Sequence, residues 1–126
     1  MPEATFDWRS ARLRKHADYQ RVYRESRRHS SASMSYFFRA RSAEEASEAA
    51  PRVGLTTGRV LGKAVERNRI RRRMREAVRL HIAELPPGVD VVLHPRRVVL
   101  EMEFARLESE VGRIFAGVRS GAQRTA

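Results

Sequence analysis

The chain has 126 residues, with 26 lysines and arginines against 15 aspartates and glutamates, a formal net charge of +11 and 41% hydrophobic residues. That length suits one small domain with short tails, and the hydrophobic share suffices for a core, which excludes wholesale disorder despite 33% charged residues. No stretch reaches the roughly 20 apolar residues of a membrane span, and the absence of cysteine excludes disulfides and thiolate metal sites.

Met1–Ser10 has no clear period and reads as a tail, although Phe6 and Trp8 are able to tuck onto the body. Thr5–Arg14 is polar and basic, unlike the charged-then-apolar pattern of a secretory leader. Ala17–Ser26 is predicted to be a helix, with Asp18 as cap or first-turn acid and Tyr19, Val22, Tyr23 and Ser26 at helical spacing. The basic cluster Arg27–His29 and the run Ser30–Ser33 break that pattern. Met34–Arg41 alternates as a strand: Met34, Tyr36 and Phe38 point one way, Ser35, Phe37 and Arg39 the other. Ala43–Pro51 is an acidic, alanine-rich connection, and with Arg52–Thr57 behind it a hairpin is expected, Val53 and Leu55 facing inward.

Gly58 to Gly62 reads as a loop. From about Val65 a long helix begins, whose apolar positions Ile70, Met74, Ala77, Val78, Ile82 and Leu85 form one stripe. Pro86-Pro87-Gly88 stops it. Val89–Leu93 is a buried third strand, His94–Arg97 a turn, and Val98–Met102 leads into a last helix carrying Phe104, Leu107, Val111, Ile114, Phe115 and Val118; fraying is expected from Arg119. The expected architecture is an α+β sandwich of the α/β class in the order α-β-β-α-β-α, with a strand–helix–strand crossover through the long helix. It forms a single domain over residues 11–118 between tails 1–10 and 119–126.

The charge points to a polyanion. Lys15 and Lys63 are the only lysines among the 26 basic residues, leaving 24 arginines, and the guanidinium fork binds phosphate bidentately and stacks on bases. A G- and C-rich genome would explain arginine over lysine, but not the net surplus. The surplus concentrates in Arg67 to Arg79, where seven arginines (67, 69, 71, 72, 73, 75, 79) accompany a single acid, Glu76. At about 100° per residue, Asn68, Arg72, Arg75 and Arg79 form one row away from the Ile70/Met74/Val78 stripe, flanked by Arg69 and Arg71. A solvated structural face interleaves glutamates; this one does not, which favours phosphate binding.

Arg52–Thr57 followed by Gly62-Lys63-Ala64-Val65-Glu66-Arg67-Asn68-Arg69-Ile70-Arg71-Arg72-Arg73-Met74-Arg75-Glu76-Ala77 resembles the signature of the bacterial ribonuclease P protein subunit. The resemblance extends to Leu13-Arg14-Lys15, Asp18-Tyr19-Gln20-Arg21-Val22-Tyr23, Gly88-Val89-Asp90-Val91-Val92-Leu93 and Phe104-Ala105-Arg106-Leu107, and so covers nearly the whole chain. Gly58-Arg59-Val60 departs from the family's serine and paired lysines. The resemblance implies a ribosomal protein S5 domain 2-like fold and a role in removing the 5′ leader of precursor tRNA. It implies RNA binding by Arg67, Asn68, Arg69, Arg71, Arg72, Arg75 and Arg79. It also implies a leader cleft built from Tyr19, Tyr23 and Phe37 beside Arg39, with Arg12, Arg14 and Lys15 for phosphates.

Read without the family, Tyr19 and Tyr23 are equally a core-facing pair or a stacking platform for unstacked bases. No protein residue reads as catalytic. His16, His29, His81 and His94 lack metal-ligand spacing, His81 falls on the apolar stripe as a satisfied core histidine, and no paired carboxylates suit two-metal chemistry. The resemblance accordingly implies catalysis by an RNA subunit using Mg2+ held through that RNA and the substrate, with no organic cofactor. The expected partners are the catalytic RNA and precursor tRNA, with no membrane and no obligate protein partner, in the cytoplasm. Two rivals stay open: a ribosomal or structural RNA-binding protein, and a DNA-binding module with the arginine helix in a major groove.

Overall fold

The computed structural model describes residues 8–45 and 49–125, with side chains to residue 122. The elements in chain order are α1 (Trp8–Ala11), α2 (His16–Glu25), β1 (His29–Ser30), β2 (Met34–Ala40), β3 (Arg52–Leu55), α3 (Ala64–His81), β4 (Val89–Pro95) and α4 (Phe104–Thr125). Single 3-10 turns at Ala43–Glu45, Arg59–Leu61, Ile82–Glu84 and Arg97–Leu100 join them.

The strands form one sheet in the order β1-β2-β4-β3, so the expected hairpin between Met34–Arg41 and Arg52–Thr57 does not form. β4 lies between those strands, antiparallel to β2 (Tyr36 opposite Leu93) and parallel to β3 (Val53 opposite Val91). The physical reason lies in β4 itself. Val89, Asp90, Val91, Val92 and Leu93 are all buried, and a strand covered on both faces belongs at the centre of its sheet. The connection after β2 is held off the hairpin path by Arg41, whose N–H donates to Gly88 O at 2.7 Å and whose guanidinium reaches Asp90 and the carbonyls of Ala49 and Ala50. The crossover β3–α3–β4 through the arginine-rich helix is present as expected.

One face of the sheet carries the main core. Ile70, Met74, Ala77 and Val78 of α3 and Leu107, Val111, Phe115 and Val118 of α4 pack with Met34, Val53, Val91 and Leu93. The stripe outlasts its helix: α3 ends at His81, and Ile82 and Leu85 still reach the core from the following turn. His81 is satisfied as expected, bonded to Glu84 and, at 2.7 Å, to Glu108. The other face carries α2 over a smaller cluster, Leu13, Val22 and Val92 with Tyr19, Tyr23 and Phe37 against it.

Three elements differ from the sequence reading. Trp8–Ser10, read as tail, belong to α1, and Trp8 packs against the main core; Phe6 lies outside the described residues. Behind α1, Arg12 bridges to Val53 and the Leu13 N–H donates to Val53 O at 3.0 Å, extending the sheet past β3. β1 escapes sequence reading because two residues show no alternation; its His29 ring stacks on Tyr36 and Phe38 at 5.1 Å each. And α4 runs on to Thr125 rather than fraying from Arg119, because Ala122 is still buried in the core.

Candidate nucleic-acid interface

Tyr19 and Tyr23 stand one turn apart on α2, with ring centroids 6.5 Å apart. Tyr23 meets the edge of Phe37 from β2 at 5.0 Å, and His94 from β4 lies 5.6 Å from Tyr23 and 5.3 Å from Phe37. The Tyr23 hydroxyl and His94 Nε2 are hydrogen-bonded at 2.9 Å, and the Tyr19 hydroxyl donates to Leu13 O at 3.3 Å. Tyr19 lies so close to β3 that a Cβ on Gly54 would sit 2.6 Å from its hydroxyl oxygen; glycine there lets the ring rest on the backbone. Tyr19, Tyr23, Phe37 and His94 are all half-buried. The core-facing reading of the tyrosine pair holds in part: both rings pack against Leu13, Val22 and Val92 and keep part of their surface exposed.

Sequence reasoning missed His94 because Pro95 makes its neighbourhood read as a turn; β4 in fact runs through it. Burial first and Arg28 second push its pKa below 6.5, so the fold favours the neutral ring. A group depressed in the fold contributes stability above its unfolded pKa, and that contribution is lost as pH falls through the folded value. His81 has the opposite sign: burial pulls it down, but hydrogen bonds to Glu84 and Glu108 outweigh this and raise it above 6.5. His94→Phe keeps a ring but cannot protonate, so stability is expected to fall less between about pH 7 and about pH 5 than in the parent. Urea unfolding at both values checks this; identical pH dependence in the two proteins would refute it.

Arg39 does not line the cleft. It shares the sheet face of Phe37 but is 8% exposed, and its guanidinium contacts Glu45 at 2.6 Å, Glu25 at 3.3 Å and Asp90 at 3.8 Å. Asp18, Glu25, Glu45 and Asp90 are scattered along the chain, yet they converge with Arg21, Arg39, Arg41 and Arg52 into one ion-pair cluster. The hydrogen bond from Arg39 leads the causes that hold the Glu45 carboxyl down at about 2. Buried among these carboxylates, Arg39 is not presented to a phosphate in solvent.

On α3 the predicted row lies on the outer surface. Asn68, Arg69, Arg72 and Arg79 are exposed, and Arg67, Arg71 and Arg75 are half-buried. Their partners divide them. Arg71 donates to Asn68 Oδ1 at 2.6 Å and to Thr57 Oγ1 at 2.7 Å, tying the ridge to the end of β3. Arg79 pairs with Glu76. Arg75 lies 5.7 Å from the Trp8 ring centroid, a cation–π contact. Arg69 donates to Leu100 O at 3.2 Å, while Arg73 donates to Val99 O and Met102 O and covers Phe104. Those two therefore serve partly to hold the 97–102 turn against the helix. Arg12, Arg14 and Lys15 are exposed on the segment between α1 and α2, and Arg12 and Arg14 share a recess with Tyr19, Arg71 and Arg75.

The start of α3 is fixed by residues outside the predicted set. Gly62 adopts φ 125°, where a side chain would be strained, the Lys63 N–H donates to Glu66 Oε1 at 2.9 Å, and Arg97 pairs with Glu66 at 2.6 Å. Arg97's hydrogen bond is the first cause holding Glu66 down at about 2. A cluster of half-buried rings thus borders, at Tyr19, an arginine face whose helix is pinned at its beginning.

The model of the family described as Ribonuclease P matches residues 8–119. The chain belongs to the ribonuclease P family. It is 39% identical over 117 residues to the ribonuclease P protein component of Roseiflexus castenholzii, covering 90% of this chain and 92% of that protein. It is also 39% identical over 107 residues to the ribonuclease P protein component of Chloroflexus aggregans, covering 84% and 76%. The solved RNase P protein from Thermotoga maritima superimposes with a TM-score of 0.69 at 24% identity, over 82% of this chain and 94% of that one. This likeness extends to the fold. Among the described residues no helix is long and apolar enough to cross a membrane.

Proposed function

We propose that the chain is the protein subunit of ribonuclease P and assists removal of the 5′ leader from precursor tRNA. The observation that carries this reading is the adjacency of a half-buried ring cluster, Tyr19, Tyr23, Phe37 and His94, and an arginine face, Tyr19 sharing a recess with Arg12, Arg14, Arg71 and Arg75. Stacked aromatics accept successive unpaired bases with little regard to sequence. The arginine face neutralises backbone phosphates and releases counterions. Single-stranded leader lies in the cleft, its phosphates near Arg12, Arg14 and Lys15. The catalytic RNA meets Arg67, Asn68, Arg69, Arg71, Arg72, Arg75 and Arg79.

Hydrolysis, which leaves a 5′-phosphate on the tRNA and a 3′-hydroxyl on the leader, is assigned to the RNA subunit, with Mg2+ held by RNA and substrate. Among the described residues no group of three or more His, Asp or Glu side chains fits a metal ion, so no step is routed through a protein-bound one. The chain's own residues bind, orient and neutralise: two polyanions approach closely only when cationic charge lies between them. The cytoplasm is the expected place of action.

A purely structural RNA-binding protein needs the ridge but has no use for the cleft. A major-groove reader wants mixed base-reading side chains on its row, whereas this row is nearly all arginine. Cleavage of a precursor tRNA by the catalytic RNA at limiting magnesium, with and without the chain, tests the proposal. A clear rate increase that depends on the presence of a leader is expected; no increase would overturn the assignment.

A further inference from the structure

A recess of about 530 Å³ opens between the first turns of α4, the 97–102 turn and the connection from β1 to β2. Its size lies within the roughly 300 to 1,000 Å³ of small-molecule sites, and among the described residues no side chain of α3 or of the ring cluster lines it. Glu110 and Ser33 do line it, and each is 2% exposed. The Ser33 N–H donates to Glu110 Oε2 at 2.9 Å and the Ser33 hydroxyl to Oε1 at 2.7 Å. Buried charges are ordinarily paired with an opposite charge. Asp18 and Asp90, the other buried acids among the described residues, both meet Arg52. Glu110 meets a serine and no cation.

Each Glu110 oxygen takes one hydrogen bond and keeps a second lone pair, so the carboxylate has room for two further parallel N–H donors. Ser33 is itself held in place. The Arg96 N–H donates to Ser33 O at 2.9 Å, and the Arg96 guanidinium donates to the carbonyls of Ser31 and Ala32. An acceptor already ordered costs less entropy when a ligand binds. Arg106, Glu110 and Arg113 share one face of α4, and both arginines are exposed at the recess without an ion pair among the described residues. Val98, 55% exposed, and Met102 add apolar surface. A ligand that suits this lining is a donor at one end, flat and apolar in the middle and anionic at the other. A free amine meets the two arginines and is repelled. A simple anion meets Glu110 and is repelled. Guanine offers N1–H and N2–H side by side, the pair a carboxylate accepts bidentately; adenine and cytosine offer a single amino group, and uracil a single N–H.

We propose that this recess is a guanine-nucleotide site, with the base edge on Glu110, the ring against Val98 and Met102 and a phosphate on Arg106 and Arg113. It shares no residue with the ring cluster or the arginine ridge and stands apart from the reading of either. A free guanine nucleotide and an unpaired guanosine of a bound RNA offer the same chemistry to it.

The probes are guanosine, inosine and adenosine 5′-monophosphates, titrated calorimetrically into the full chain at about 0.15 M salt. The inosine nucleotide has the same phosphate and N1–H but lacks the 2-amino group, so phosphate held by the arginine ridge contributes equally to both. The guanosine nucleotide is expected to bind about tenfold or more tighter than the other two. Equal affinities overturn the site, and this comparison needs no substitution. Glu110→Gln keeps an acceptor for the Ser33 N–H and a donor for its hydroxyl but loses one guanine acceptor. It is expected to bring the guanosine nucleotide to the level of the inosine one; a retained preference overturns the site. Arg106→Gln with Arg113→Gln, both on the surface, should weaken the guanosine nucleotide about tenfold and leave the preference of guanosine over inosine, tested as nucleosides, unchanged. Unaltered nucleotide affinity in that variant overturns the phosphate seat and with it the site. The last titration adds ribonuclease P RNA. A guanosine nucleotide that still binds the complex supports the site with a free nucleotide as occupant; one that binds the chain alone but not the complex supports it with a guanosine of the RNA.

Discussion

Replacing Arg67, Arg72 and Arg79 together with glutamine is expected, on the proposed function, to cost about a hundredfold or more in affinity for the RNA subunit of ribonuclease P and to leave the fold intact. These residues differ from Arg69 and Arg73 on the same helix, which hold the 97–102 turn. Arg72 is exposed and has no ion pair or hydrogen bond among the described residues, Arg67 keeps an unpartnered Nε, and Arg79 pairs with the exposed Glu76 of its own helix. Glutamine keeps the helix propensity of the side chain and removes the charge. The slope of log affinity against log salt should fall by roughly 0.7 to 0.9 for each phosphate no longer neutralised. Arg73→Gln supplies the contrast. Its guanidinium holds the carbonyls of Val99 and Met102, so its removal should lower the melting temperature and leave the salt slope unchanged. Filter binding across a salt series, with thermal unfolding of each variant, separates the two classes. A triple variant with the parent's salt slope would remove phosphate binding from the ridge's functions.

The ridge is legible in the sequence because its signal is local: seven arginines at helical spacing beside an apolar stripe define a surface before any tertiary structure forms. The cleft is half legible. Tyr19, Tyr23 and Phe37 follow from the periods of one helix and one strand, but His94 needs the position of β4 in the sheet, and strand order is a non-local choice. The same choice defeats the hairpin, since nothing in Met34–Thr57 announces that a strand more than thirty residues later will separate its two halves. Arg39 has the right parity for the cleft, and only the convergence of Glu25, Glu45 and Asp90 takes it away. Trp8 reads as able to tuck onto the body, but its helix escapes notice because four residues are too few to show a period. Membership of the ridge is thus a matter of pattern, whereas the place of His94, the burial of Arg39 and the joint between rings and ridge are matters of packing.

Asp90→Asn is expected to destabilise the chain by about 3 to 5 kcal/mol, a large part of the roughly 5 to 15 kcal/mol that holds a domain folded. Asp90 is fully buried in the central strand. Its carboxylate takes two hydrogen bonds from Arg52, at 2.9 Å each, and another from Arg41, and Arg39 lies 3.8 Å away. The side chains of Arg39 and Arg41 are 6% and 3% exposed, so neither reaches water if the carboxylate is neutralised. Asparagine offers one acceptor where two were used and turns an amide N–H toward guanidinium donors. Glu45 and Asp18 remain nearby, but each is already engaged, Glu45 by Arg39 and Asp18 by Arg52. A buried pair that is costly to break is often neutral to replace whole by apolar groups. Asp90→Leu combined with Arg41→Met and Arg52→Met should therefore recover much of what Asp90→Asn loses. Urea unfolding of the single and combined variants decides it: a single variant within about 1 kcal/mol of the parent would show that the cluster is solvated and contributes little. Because the cluster ties β2, β3 and β4 beneath α2, Asp90→Asn should also loosen the ring cluster, and on the proposed function the chain's stimulation of precursor cleavage should fall more steeply with temperature than in the parent.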